Sequence, residues 1–154
     1  MNVAHFQAQI ASLSAAIANR PLDSDLQTWL NTHHGADSAT YADLRATIEA
    51  GVSQGWLADR EGGGLRYGRI FKPSAELHNF SVDVVDMTEI AGPHHVHPHG
   101  EIDLIMPMDS DATFDGQPAG WLVCPPGSAH RPTVRHGRAL VMYLLPQGAI
   151  EFTR

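Results

Sequence analysis

Four histidines fall within six residues of this chain, in the run Gly92-Pro93-His94-His95-Val96-His97-Pro98-His99-Gly100-Glu101-Ile102-Asp103, and the chain carries ten in all, as many as its lysines and arginines together. Imidazole nitrogens with a carboxylate oxygen are ligands for Zn, Fe, Ni or Mn. On an extended strand, residues two apart share a face, so His95 and His97 point the same way, about 7 Å apart along the chain. Pro98 and Gly100 permit a turn, after which Glu101 opens a new alternating run. His94 has the opposite parity and His99 sits in the turn. A set of His97, His99 and Asp103 has the same internal spacing, so the ligand register is open by two residues. Farther on, Pro125-Pro126-Gly127-Ser128-Ala129-His130 places one more histidine at the start of a strand, where it can face the first pair. The competing reading is a histidine-rich surface tract that takes up metal adventitiously; such a tract has no need of a distant partner.

These side chains must be positioned by strands, and the strands begin after a helical third. Phe6, Ile10, Leu13 and Ile17 recur at helical spacing, and Pro21 ends that pattern. Asp23 or Ser24 caps a second helix carrying Leu26, Trp29 and Leu30, with His33-His34-Gly35 as its end. Ser38 to Ala50 reads as a third helix, with Thr40 and Asp43 at capping-box spacing and Tyr41, Leu44 and Ile48 on one face. Gly51 and Gly55 loosen the chain beyond it, and Trp56-Leu57 is core. The texture changes at Glu61-Gly62-Gly63-Gly64. Leu65 to Phe71 is a strand; Phe80, Val82 and Val84 alternate with Ser81 and Asp83 as a half-buried strand. Ile102, Leu104 and Met106 alternate with Glu101, Asp103 and Ile105. Asp115-Gly116 is a hairpin signal, and Trp121 to Cys124 and Ala139 to Leu145 are further strands. Short strands at regular spacing, with glycine and proline turns between them, indicate a barrel or sandwich. The expected layout is α+β: a helical region over residues 1–61, then a β-barrel over 62–154.

Composition narrows the function classes. With 154 residues, 43% apolar and 18% charged, the chain is long enough for a real core. A formal charge of −7 gives little attraction to phosphate backbones, so nucleic acid is not an expected partner. Cys124 is the only cysteine, which precludes an internal disulfide and fits a reducing compartment. The N-terminus lacks the charged and apolar regions of a signal peptide, and no run approaches the roughly 18 apolar residues of a membrane span. A cytoplasmic protein with no membrane partner is expected.

The two histidine elements resemble the cupin motifs. One cupin motif is His-x-His, three or four residues and Glu, matched by His95, His97 and Glu101; the other is Pro-x-Gly-x-x-His, matched by Pro125, Gly127 and His130. The glycine that leads into the first motif in cupins is absent, position 89 being Glu. The resemblance implies a double-stranded β-helix barrel from about Gly64 onward, holding a divalent metal ion (Fe, Zn, Ni or Mn) with His95, His97, Glu101 and His130.

A narrower resemblance spans the chain. It rests on Gly55-Trp56-Leu57, Arg66-Tyr67-Gly68-Arg69, the run His97 to Pro107, Gly120-Trp121-Leu122-Val123, Gly127 to Thr133 and Leu144 to Phe152. These are similar to the p-hydroxylaminobenzoate lyase family of small cupin-like proteins with a helical N-terminus. The resemblance implies a lyase that converts 4-hydroxylaminobenzoate and water to protocatechuate and ammonia, a role in nitroaromatic breakdown, and a small aromatic substrate; cupin likeness implies a homodimer. The reaction is redox-neutral, and the chain shows no glycine-rich dinucleotide loop. A carboxylate beside the metal, Glu101 or Asp103, would move protons. Asp103 shares parity with Glu101 and is a candidate base or an orienter of a ligand, or else a strand-end charge. A benzoate carboxylate suits arginine, and Arg69, Arg131, Arg66 and Arg135 lie on or beside strands. Arg131 follows His130 directly, so on a strand it would face away from the metal. Tyr67, Trp121 and Phe80 are candidates to stack on the ring. Cys124, before the Pro-Pro turn, reads as apolar filler. Another metal cupin enzyme, an oxygenase or isomerase on a small acid, and a non-catalytic binding module stay open as alternatives.

Overall fold

In the computed structural model, which describes residues 2–153, three helices precede ten strands: α1 Val3–Ile17, α2 Ser24–His33, α3 Ala39–Gln54, then β1 Arg60–Gly62, β2 Leu65–Phe71, β3 Phe80–Ala91, β4 His95–His97, β5 Glu101–Pro107, β6 Thr113–Phe114, β7 Gly120–Cys124, β8 Ser128–His130, β9 Thr133–Pro146 and β10 Glu151–Phe152. The helices start where side chains can accept their orphan amides. Asn2 accepts from the His5 amide, Asp23 from Leu26 and Ser38 from Tyr41. Ser38, rather than Thr40, is therefore the cap of α3. That helix also runs through Gly51 to Gln54 and ends on Gly55 in the left-handed region, φ 86°. Gly51 does not loosen it: a Cβ there would lie 2.5 Å from Leu57 Cδ1, so the glycine is what lets the following segment fold back against the helix.

The strands form a large antiparallel sheet in the order β1-β2-β3-β9-β5-β7, with β6 on β9, and a small sheet in the order β10-β4-β8. The Gly63-Gly64 step is the turn of a hairpin whose first arm, β1, pairs with β2. β3 differs from the half-buried strand expected. Phe80, Val82 and Val84 pack toward the helices, while Ser81, Val85 and Met87 are buried on the other face. The same division runs through the neighbouring strands. Ile102, Leu104, Met106, Leu140, Met142, Leu144, Trp121 and Val123 join Phe6, Ile10, Leu30, Leu44 and Ile48 in one core, whereas Ile105, Phe114, Val134, Val141 and Tyr143 form a second core inside the barrel. A strict period of two therefore sends β5 residues 101, 103 and 105 into the barrel.

The helices also complete the sheet. β7 lies at its edge, and an edge strand presents unpaired backbone groups. From α2, Asn31 donates to the Trp121 carbonyl (2.9 Å) and accepts from its amide (2.8 Å), and Gln27 accepts from the Val123 amide (2.9 Å). From α3, the Tyr41 hydroxyl donates to the Ile105 carbonyl (2.8 Å) and Arg45 to that of Pro107 (2.7 Å). No helix among the described residues is long and apolar enough to cross a membrane.

Candidate active site

The small sheet brings the two histidine elements together. β4 pairs with β8 so that His95 lies opposite His130 and His97 opposite Ser128. The turns around them share one acceptor: the His97 carbonyl takes the Gly100 amide (3.2 Å) and the Gly127 amide (2.8 Å). Gly100 has φ 90°, and a Cβ there would lie 2.9 Å from the Cys124 carbonyl oxygen; only glycine fits this turn, which delivers Glu101 to the interior face. The lead-in to β4 solves its geometry differently. Glu89 itself takes φ 44°, at a bulge where the β3–β9 register shifts between Thr88 and Ile90. A left-handed conformation that glycine adopts freely is thus taken up by a glutamate, at a cost of about 1–2 kcal/mol.

Four side chains converge between the sheets. His97 Nε2 lies 3.2 Å and His130 Nε2 3.5 Å from Glu101 Oε2, and His95 Nε2 lies 3.5 Å from Oε1. One donor atom from each of the four lies within 4.8 Å of every other, and His95, His97 and Glu101 are buried. The far nitrogens decide which atoms face inward. His95 Nδ1 lies 3.3 Å from the Pro93 carbonyl, which can only accept. His97 Nδ1 lies 3.0 Å from Ser128 Oγ, whose own proton goes to the Pro125 carbonyl at 2.6 Å. His130 Nδ1 lies 2.5 Å from Asp115 Oδ2. Each imidazole therefore carries its hydrogen on Nδ1 and, when neutral, aims an Nε2 lone pair at the common centre. His95 and His130 set these nitrogens 3.0 Å apart, which is repulsive unless a proton or a cation lies between them.

Such a centre fits a metal ion. His97 Nε2 and both Glu101 oxygens are buried without a hydrogen-bond partner, and three imidazole nitrogens with one carboxylate suit a first-row divalent ion. Burial disfavours charge on Glu101, but the imidazoles of His130, His95 and His97 gathered around it hold the carboxyl well below the usual range. Burial also disfavours charge on His130, yet Asp115 and Glu101 raise it to about 9. Asp103, one pleat along from Glu101, is fully buried with both oxygens unpartnered. Burial, then the Glu101 charge, pushes its carboxyl well above the usual range, which favours its protonated form. His99 is exposed in the turn and His94 is half-buried with its ring against Thr153; neither joins the cluster. Cys124 sits opposite Glu101, buried, its thiol pushed up chiefly by that burial.

A cavity of about 910 Å³ opens from this centre, with His95 and Tyr143 among its buried lining and Tyr67, Arg69 and Arg131 at its exposed rim. Arg131 corrects an expectation. β8 ends at His130, so strand alternation does not extend to Arg131, and it lines the cavity instead of facing away. Its side chain makes one bond among the described residues, a long one to the Gly92 carbonyl, 3.4 Å. Arg69 is committed to Asp83 through two bonds, 2.8 and 3.2 Å. Arg60 also lines the cavity, whereas Arg66 and Arg135 do not. Tyr67 is on the wall; Trp121 and Phe80 belong to the core under the helices. Asp115, Ser128 and Tyr143 went unmarked as site residues. Asp115 showed only a turn signal, Ser128 sat in a variable motif position, and nothing local placed Tyr143.

Fold and site together define a small cupin-type enzyme with a helical N-terminal layer. The chain belongs to the 4-hydroxylaminobenzoate lyase family, a family of lyases: the model of that family, described as PnbB, 4-hydroxylaminobenzoate lyase, matches residues 8–152. A 4-hydroxylaminobenzoate lyase of Pseudomonas putida is 32% identical over 90% of this chain and 88% of that protein. One from Nocardioides sp. (strain LMS-CY) is 34% identical over 88% of this chain and 86% of that protein. Among solved structures, an RmlC-like cupin protein of Ralstonia eutropha JMP134 aligns with a TM-score of 0.45 at 9% identity, over 60% of this chain and 62% of that one.

Proposed function

We propose that this chain is a metal-dependent lyase that converts 4-hydroxylaminobenzoate and water to protocatechuate and ammonia. The observation that carries the reading is the likeness along nearly the whole chain to two proteins of that name. His95, His97, His130 and Glu101 would hold the divalent ion, of which Fe, Zn, Ni and Mn all suit the donor set. Bound there, the ion supplies a Lewis acid beside the cavity floor.

The chain's own groups supply the rest. Arg131, with its fork largely free, receives the benzoate carboxylate at the rim, where a planar guanidinium matches it two-point. Arg69 adds positive potential, already half-neutralised by Asp83. Tyr67 offers a ring face to the aromatic substrate on the cavity wall. Asp103, a neutral carboxylic acid one pleat from Glu101, keeps a proton at the floor, and Glu101 remains a carboxylate. The reaction needs no outside oxidant, because the N–O bond that breaks carries the oxidising equivalent that the ring takes up.

The test is a strictly anaerobic assay of the purified protein on 4-hydroxylaminobenzoate, with bound metal measured on the same sample. Protocatechuate and ammonia are expected in equal amounts, with activity abolished by a chelator and restored by one of the four metals. An absolute requirement for dioxygen would overturn the reading.

A further inference from the structure

We propose that the hydroxyl of Tyr143 is a catalytic hydrogen-bond donor that meets the hydroxylamino oxygen of the substrate at the buried end of the cavity. The inference rests on the lyase reading above and adds a residue to it. Tyr143 lies in the middle of a row that crosses the barrel from rim to floor. Arg69 stands opposite Asp83, Asp83 opposite Tyr143, and Tyr143 opposite Asp103 on successive strands. Its ring is 5% exposed and packs 6.4 Å from His95 and 6.2 Å from Phe114, centroid to centroid, and it lines the cavity.

The chain's other deeply buried tyrosine shows what a structural hydroxyl does here: Tyr41 donates to the Ile105 carbonyl at 2.8 Å. The Tyr143 hydroxyl has no such partner among the described residues, and it is not one of the sealed, unpartnered polar atoms of the interior, so its oxygen opens to the cavity that Tyr143 lines. Buried phenols normally find an acceptor, and what this one faces is the cavity beside His95. The burial gradient sets the substrate's direction. Among the cavity-lining residues Arg69 and Arg131 are exposed and His95 and Tyr143 are buried, so a carboxylate held by the guanidiniums sends the para substituent inward, toward Tyr143.

A donor at that place acts on the bond that breaks. When the N–O bond cleaves, its electron pair leaves with oxygen and the ring is left electron-poor. Water then bonds to the ring carbon next to the one that bears the nitrogen, and the proton it sheds balances the departing hydroxide. A second water adds across the carbon–nitrogen double bond left in the ring and releases ammonia, and the hydrogen of the hydroxylated ring carbon then moves to the new carbonyl oxygen, which restores the aromatic ring. Nothing is oxidised except the ring, and nothing reduced except the N–O bond. A hydrogen bond to the oxygen strengthens as negative charge gathers on it, the condition for speeding the step and not merely binding the substrate.

The experiment is Tyr143→Phe in the metal-loaded protein, with kcat, KM, metal content and the inhibition constant of 4-aminobenzoate, which lacks the oxygen. Expected are a fall in kcat of roughly 10²–10³-fold, unchanged metal content and an unchanged 4-aminobenzoate constant. Unchanged kcat overturns the proposal. So does an equal weakening of 4-aminobenzoate, which would make Tyr143 a wall residue. If the unaltered protein fails to turn over 4-hydroxylaminobenzoate, the lyase reading falls, and the compound serves as a plain ligand. The proposal then requires the unaltered protein to prefer it over 4-aminobenzoate in calorimetry and the variant to lose that preference; equal preference in both overturns it. A Tyr143→Met variant, with loss of donor and ring together, must show the same kcat fall if Tyr143→Phe does not fold.

Discussion

His95, His97 and His130 each depend on the acceptor at their far nitrogen, because that acceptor fixes the tautomer and turns the ring. For His130 the acceptor is Asp115, at 2.5 Å. Asp115→Asn removes its charge, and metal affinity should fall about 10–100-fold with the other ligands untouched, as read by competition with a chromogenic chelator. The same contact sets a pH dependence. In metal-free protein His130 is raised from 6.5 to about 9. Its protonated form therefore stabilises the fold fully below about 6.5, and that contribution fades as pH rises through about 9. Metal uptake must displace that proton, so its slope is opposite: affinity should strengthen from about pH 6 to about pH 9, and uptake at about pH 7.5 should release protons to a weak buffer. A flat affinity across that range would show that His130 is not a ligand.

At the scale of elements, the informative contact is α2 on the sheet edge. Asn31 and Gln27, one helical turn apart, take up backbone groups of β7 that would otherwise lie open. Asn31→Ala deletes two of these bonds. A loss of roughly 1–2 kcal/mol is expected, a fall in Tm of about 2–8 °C for a chain of this size; an unchanged melting curve would show that solvent replaces the amide at no cost. The helices themselves were legible because amphipathic spacing and Asn, Asp and Ser caps are local. The continuation of α3 past Gly51 was not, because the reason for that glycine is the Leu57 side chain that folds over it. The bulge at Glu89 was hidden for a similar reason: long pairing with β9 holds a conformation that local preference opposes.

For the whole molecule, the large sheet is buried on both faces, one under the helices and one lining the barrel. The site side chains and the core side chains alternate along the same strands, so β5 cannot slip by one residue without exchanging Glu101 and Asp103 for Ile102 and Leu104. Leu104, fully buried beneath the helices, anchors that register from the far side. Leu104→Ala should cost about 2–5 kcal/mol, read from the shift of the urea midpoint. Any lost activity in the folded fraction would report a change in register, and full activity per folded molecule would show that packing and site are independent.

Spacing along the chain determined the parity of His95 and His97, the turn to Glu101, the distant His130 and the interior placing of Asp103, because each arises from strand period or turn chemistry within a few residues. It left open the choice between that set and His97, His99 and Asp103. Only the tertiary structure decided what surrounds the cluster. Asp115 behind His130, Ser128 behind His97, Arg131 at the cavity rim and Tyr143 between two aspartates all depend on which strands become neighbours and in what register. That is settled by the closing of the barrel and the burial of both sheet faces, over separations that no local pattern encodes.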